Sequence, residues 1–322
     1  MSESAPALPV SALAEMGAAW LLDGEYRQHS PRTLDERRDF PAKLAWLMER
    51  DGLAELTPTA CRTFLRHVAV GHLEPAGRWA SGQRGPVKPN TVHSYYRRLR
   101  TFACWLARND LVAVNPRARI EPPRVPRVLI EPFTDAQIEA LLAAAAKGTH
   151  PLRDRALLLF LLDTGARVSE LCSLRRADFD FLTRRCVVRG KGGHERALHL
   201  GTVSARALWA YVNEARQAPE AALFLGDRGT RAGEGLRRKG VQELFWRLEK
   251  AAGLSGVRCS PHTCRHSYAI RFLRAGGGQF ELMAALGHSD VTQTSAYVKL
   301  AAIDLGAAQK SFSPMDRLRR GM

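Results

Sequence analysis

The sequence has no long apolar run; its longest, Ala156 to Leu162, falls far short of the roughly 20 residues that cross a bilayer as a helix. Its N-terminus also lacks the basic-then-apolar order of a secretory leader. These absences lead us to expect a soluble cytoplasmic protein with no membrane partner. Cysteine is sparse and unpaired: Cys61, Cys104, Cys172, Cys186, Cys259 and Cys264 show no C-x-x-C spacing and read as reduced thiols. Cys259, His262, Cys264 and His266 lie close together, but their spacing matches no closed structural zinc site. No metal and no cofactor is therefore expected. Internal repeats and low-complexity tracts are absent, which excludes a solenoid.

Acidic residues are the other shortage: 32 Asp and Glu stand against 48 Lys and Arg, for a net charge of +16. The excess is +6 over residues 1–128 and +10 over 129–322, so both halves are basic, which suits a clamp better than a charged tail. Clustered cations on a stable fold attract polyanions and release their counterions, making nucleic acid the first candidate partner.

The chain is long enough for two cores. Five prolines between Asn115 and Pro132 (NPRARIEPPRVPRVLIEP) argue for an extended linker over 115–132, separating residues 1–114 from 133–322. Upstream, helical apolar spacing follows start signals at Ser30-Pro31, Thr57-Pro58 and Asn90, and a further helix is expected over Ser11 to Leu22. Pro41 is expected to interrupt or kink one of these helices. Residues 1–114 thus read as a small helical bundle. Its last helix, Thr91 to Arg108, places Tyr95, Leu99, Phe102 and Leu106 on one side and Arg97, Arg98 and Arg100 largely elsewhere, available to phosphate or to solvent. Downstream, Thr134 caps one helix and Leu152 to Asp163 forms a second that stops at Gly165. CVVRGKGGHERALHL reads as an antiparallel hairpin, and helices return after Leu208, over Val241 to Ala252, Thr263 to Ala275 and Gln279 to Leu286. The expected fold is mainly α, with a small antiparallel sheet in the second domain.

Within this second domain lie TGARVSEL with Arg167, GKGG with Lys191, HTCRHS with His262 and Arg265, LGHSD with His288, and TSAYVKL with Tyr297. Their order and spacing resemble the tyrosine recombinase (phage integrase) family, whose signature is Arg, Lys, His-x-x-Arg, His and Tyr. SPRTLDERRDF resembles the start of the family's core-binding domain, and FACWLARNDLVAVNP its end; length and layout are most similar to the Xer-like branch. One departure is SFSPMDRL, where Xer proteins often carry a His-Pro pair.

The resemblance implies a two-domain C-shaped clamp around double-stranded DNA, with strand exchange through a Holliday junction. It implies four protomers acting on two sites, all of this chain or some of a related recombinase. It also implies that the tail AAIDLGAAQKSFSPMDRL passes to a neighbouring protomer. The residues suit that chemistry. A phosphotyrosine ester conserves the energy of a cut phosphodiester, so Tyr297 is the candidate nucleophile. Arg167 and Arg265 can meet charge developing on the non-bridging oxygens. His262 lies on nearly the same helical face as Arg265 and can serve as acid or base, while His288 can donate to the phosphate. Lys191 resembles the family's β-turn lysine that protonates the leaving 5′-oxygen. Two rivals keep the same fold: a type IB topoisomerase-like relaxing enzyme and a non-catalytic accessory protein. A metal-dependent nuclease would instead lose activity to a chelator.

Overall fold

The structure, a computed structural model, describes residues 7–71, 85–118, 120–126, 131–190, 195–215, 221–226, 234–288 and 290–301. The chain divides into two compact units, Met1–Val128 and Leu129–Met322.

Among the described residues, the first unit holds a short 3-10 turn and four helices, α1 (Leu13–Tyr26), α2 (Pro31–Arg50), α3 (Pro58–Val70) and α4 (Pro89–Arg108). Ser30 and Thr57 each accept a hydrogen bond from the backbone N–H three residues on, with proline following directly. A proline in the first helical turn leaves no intrahelical bond unmade. That same logic moves the start of α4: the helix opens at Pro89, with Lys88 at the N-cap, and Asn90 lies inside it. Pro41 does not interrupt α2, which runs through it. Its ring is buried against α1 at Gly17, where a Cβ would lie 2.8 Å from the Pro41 Cβ. The two helices therefore approach where one has no side chain.

The core of this unit is aromatic. Trp20, Phe40, Phe64 and Phe102 meet in tilted and edge-on contacts with ring centroids 5.1 to 6.4 Å apart, each pair worth about 0.5–1.5 kcal/mol beyond the area it buries. On α4 the buried face is Tyr96, Leu99, Phe102, Ala103 and Leu106, with Tyr95 half-exposed at its edge. The Tyr96 hydroxyl donates to the Ile120 carbonyl at 3.1 Å and accepts from Arg117. The first residues of the proline-rich stretch thus fold back onto α4, and Ile120 joins the core.

The second unit opens with α5 (Asp135–Ala146) and α6 (Pro151–Thr164). Thr134 and Gln137 form a reciprocal capping box at the start of α5. Helix α6 buries residues on nearly every side, including Ala156, Leu157, Leu158, Phe160 and Leu161, which is why its sequence is uniformly apolar rather than amphipathic. After α7 (Val168–Ser173), strands β1 (Phe179–Asp180), β2 (Arg185–Arg189) and β3 (Glu195–His199) form an antiparallel sheet in the order β1-β2-β3. Cys186, Val188 and Leu198 face the core. The chain ends its described course in α8 (Thr202–Glu214), α9 (Arg238–Ala251), α10 (Pro261–Arg274), α11 (Gln279–Leu286) and α12 (Val291–Ala301). A separate apolar cluster of Ala269, Ile270, Leu273, Leu282, Leu286, Tyr297 and Ala301 joins α10, α11 and α12. Among the described residues no helix is long and apolar enough to cross a membrane.

Gly165 and Gly287 each turn the chain tightly at the end of a helix in this unit. Gly165 ends α6 in the left-handed region at φ +59°, and a Cβ there would meet Tyr268 Cδ1 at 2.5 Å. Gly287 ends α11 at φ +61°, with a Cβ position 2.8 Å from the Arg196 Cδ. Left-handed backbone and close approach both demand glycine. We expect Gly165→Ala to destabilise the second unit by about 1–3 kcal/mol, read as a lower urea midpoint at unchanged m-value.

Candidate active site

Arg265 is only 5% exposed although it carries a charge. It sits on α10, whose first turn is capped by the Ser260 hydroxyl. Its guanidinium donates to the Gly165 carbonyl at the end of α6 and the Leu286 carbonyl at the end of α11, both at 2.7 Å, and to His288 Nε2 at 2.8 Å. Helix ends leave carbonyls without intrahelical partners, and this side chain collects two of them. Burial, then the like charges of Arg167 and Arg196, draw its pKa down to about 10, still leaving the cation intact at neutral pH.

Arg167 stands at the N-cap of α7. Its backbone N–H donates to Glu170 Oε2 at 2.7 Å, its guanidinium to Glu170 Oε1 at 2.9 Å and to the Gly287 carbonyl at 3.2 Å. Glu170 is 2% exposed and also accepts from Arg196 of β3 at 2.7 Å. Arg196 in turn donates to the Ala285 carbonyl. One buried carboxylate therefore binds two guanidinium groups, and with Arg265 three cations surround the loop from Ala285 to His288. Such a cluster carries excess positive charge facing a partly open surface, the condition for holding phosphate.

His288 and Tyr297 complete the group. Arginine has no acceptor, so His288 Nε2 must accept from Arg265, and in the neutral ring Nδ1–H then donates to Thr294 Oγ1 at 3.0 Å. Burial, then Arg265, Arg167 and Arg196, push the His288 pKa down to about 4, which keeps the ring neutral. Tyr297 on α12 is 6% exposed, its ring nearly parallel to His288 at 6.4 Å between centroids and tilted against His266 at 5.1 Å. Burial raises its phenol pKa, against the pull of Arg265 and Arg167. His262 lies at the exposed edge, its ring edge-on to His266 at 4.4 Å. Partial burial and the charges of Arg265 and Arg258 lower its pKa.

The structure thus brings together Arg167, His262, Arg265, His288 and Tyr297 from α10, α12, the start of α7 and the end of α11. Lys191 lies outside the described residues, as does the tail from 302 onward. In the first unit Arg97 and Arg100 are exposed on α4. Arg98 instead donates to Glu36 of α2 at 3.0 Å and lies over the Tyr95 ring. Among the described residues no three His, Cys, Asp or Glu side chains are placed to hold a metal ion. Cys264 is fully buried, its thiol pKa pushed well up by burial.

The profile of the phage integrase family matches residues 131–302, over half the chain. The chain is 30% identical over 277 residues to tyrosine recombinase XerC of Xanthomonas campestris, covering 85% of this chain and 80% of that protein. It is 32% identical over 216 residues to XerC of Chlamydia trachomatis, covering 66% and 67%.

This chain belongs to the phage integrase family.

It is a tyrosine-type site-specific recombinase, similar to the Xer-like branch. Solved structures agree on the fold. The Tn1549 transposon integrase in complex with circular intermediate DNA superposes with a TM-score of 0.68 at 20% identity, covering 95% of this chain and 99% of that one. XerH bound to palindromic difH substrate gives 0.63 at 16%, covering 90% and 82%.

The sequence already offered Glu170 as a partner for Arg167, but three further side chains stand at the candidate site with no catalytic role read for them: Arg196, Thr294 and His266, the last two inside the stretches TSAYVKL and HTCRHS. Arg196 left a readable trace, since it lies two residues from Leu198 on a strand and therefore shares the core-facing side. An inward arginine calls for a buried carboxylate. The His266 pKa is also drawn down to about 4 by burial, His262 and Arg265. A histidine whose pKa falls on folding binds its proton less readily when folded. The stability it contributes is complete above about 6.5 and is lost as pH drops through about 4. Thermal melts should therefore fall steeply across that window. Replacing His266 and His288 together by phenylalanine should flatten the fall; an unchanged pH slope in the double variant would refute the assignment.

Proposed function

We propose that Tyr297 attacks a DNA phosphodiester to form a 3′-phosphotyrosine, which a free 5′-hydroxyl then reverses, so that two rounds exchange strands through a Holliday junction. The observation that carries this is the contact of Tyr297 with His288, whose ring is tied to a guanidinium anchored on two helix ends. That arrangement supports reading Tyr297 as a nucleophile beside fixed, paired donors of positive charge. Arg167 and Arg265 would hold the non-bridging oxygens as the pentacoordinate state forms. Both guanidiniums are fixed by bonds to carbonyls, to Glu170 or to His288, and groups already held in place need little reorganisation, which is the basis of electrostatic preorganisation.

His288 would donate to the phosphate only after its Nε2 leaves Arg265 and takes a proton. Phosphate entry favours that step by offsetting the cations that hold its pKa down. His262, the more exposed histidine, is suited to exchange protons with solvent. Lys191 belongs to the connection between β2 and β3, and family resemblance supports it as the acid for the leaving 5′-oxygen. Double-stranded DNA would be the substrate, drawn by the positive charge that each unit carries, with four protomers acting on two sites. Arg97 and Arg100 would contact phosphate from α4, whereas the Arg98 guanidinium is already engaged by Glu36.

Two outcomes test this reading. Wild-type protein given a nicked site in EDTA should accumulate a covalent adduct, while Tyr297→Phe binds the same DNA and forms none. An adduct in the variant, or a requirement for added metal, would overturn it. Lys191→Ala should cleave ordinary DNA about 10²-fold more slowly and recover when the bridging 5′-oxygen is sulfur, which leaves without a proton. Equal impairment on both substrates would assign Lys191 to positioning.

A further inference from the structure

His266 has an environment that folding alone does not explain. Both of its ring nitrogens are buried, and neither has a hydrogen-bond partner among the described residues. A neutral imidazole has one N–H to donate and one nitrogen to accept, and each buried polar group left unmade destabilises the fold. A phenylalanine of similar shape would avoid that cost. Yet the imidazole is wedged between the two groups whose protons the reaction concerns: Tyr297 at 5.1 Å and His262 at 4.4 Å between ring centroids. Both histidines lie on α10, one turn apart, and Tyr297 faces them from α12.

We infer that His266 is a proton relay that links the Tyr297 hydroxyl to His262 and carries the phenolic proton between them. The inference rests on the reading of Tyr297 as nucleophile. As the Tyr297 oxygen bonds to phosphorus and the bond from phosphorus to the 5′-oxygen breaks, the phenolic proton passes to one nitrogen of His266. The proton on the other nitrogen passes to His262, which is open to water. The 5′-oxygen takes its own proton separately, from the acid assigned to Lys191. In the reverse reaction each transfer runs backward, so no proton is lost over a cycle. An unpartnered pair of nitrogens suits this role, because neither is already occupied when the tyrosine turns toward phosphate.

The test uses the full chain on a nicked site in EDTA. His266→Phe should melt at or above the wild-type temperature and bind DNA equally well, yet form the covalent adduct about 10²-fold more slowly. A ring-fluorinated tyrosine at position 297, whose phenol gives up its proton more readily, should restore about tenfold or more of that loss while changing the parent protein little. His266→Gln, which keeps a nitrogen and an oxygen, should fall between, and it takes over the comparison should the phenylalanine variant not fold. Wild-type cleavage by His266→Phe would overturn the inference, as would an equal effect of fluorination in both backgrounds. Either result leaves Tyr297 as nucleophile; only an adduct formed by Tyr297→Phe would remove that reading itself.

Discussion

A guanidinium taken almost entirely out of water must find oxygen or nitrogen acceptors for its donors, and the way Arg265 does so organises the second unit. Its acceptors are the last carbonyls of two helices, α6 and α11, and the ring of His288. Each of those helices ends in a left-handed glycine, Gly165 or Gly287, which turns the chain sharply and leaves the carbonyls facing inward. The buried charge is thereby surrounded by dipoles from two stretches far from it in sequence, one at Gly165 and one at Leu286 to His288. Removing the guanidinium would strand all of them, which is the costly way to break a buried polar set.

Neutral acceptors around Arg265 leave its charge uncancelled. Glu170 answers Arg167 and Arg196, but among the described residues no second carboxylate pairs with Arg265, so the cluster retains net positive charge. Burial first, then the neighbouring charges, with His262 ahead of Arg265 in the case of His266, keep His266 and His288 neutral. A phosphate entering the cluster would supply the missing negative charge, turning an unfavourable concentration of cations into a favourable one. If this cluster is the substrate site as proposed, stability and readiness for phosphate are opposed there, and the unpartnered nitrogens of His266 belong to the same opposition.

Tyr297 illustrates how packing and chemistry share one side chain. It belongs to the apolar cluster that joins α12 to α10 and α11, yet it also touches two histidines. Burial raises its pKa, keeping the phenol protonated until the arginines and a proton acceptor act together. On the proposed reading, a nucleophile held neutral within a core is protected from solvent chemistry and depends on its neighbours for activation.

What the sequence by itself determined is local: caps at Ser30, Thr57 and Thr134, the stop at Gly165, the hairpin between Cys186 and Leu198, and the order of Arg167, His262, Arg265, His288 and Tyr297. Each rests on neighbouring residues or on a spaced motif, so a linear reading reaches it. The course of α2 through Pro41 was decided instead by Gly17, on a different helix, which gave the proline ring a place to pack. Arg98 looked free on its helix because its partner, Glu36, lies far away in sequence. Arg196, Thr294 and His266 carry no motif of their own; they gain meaning only when β3, α12 and α10 bring them to Glu170, His288 and Tyr297. Hydrogen bonding and burial depend on what lies within a few ångströms, and only the tertiary structure decides which residues those are.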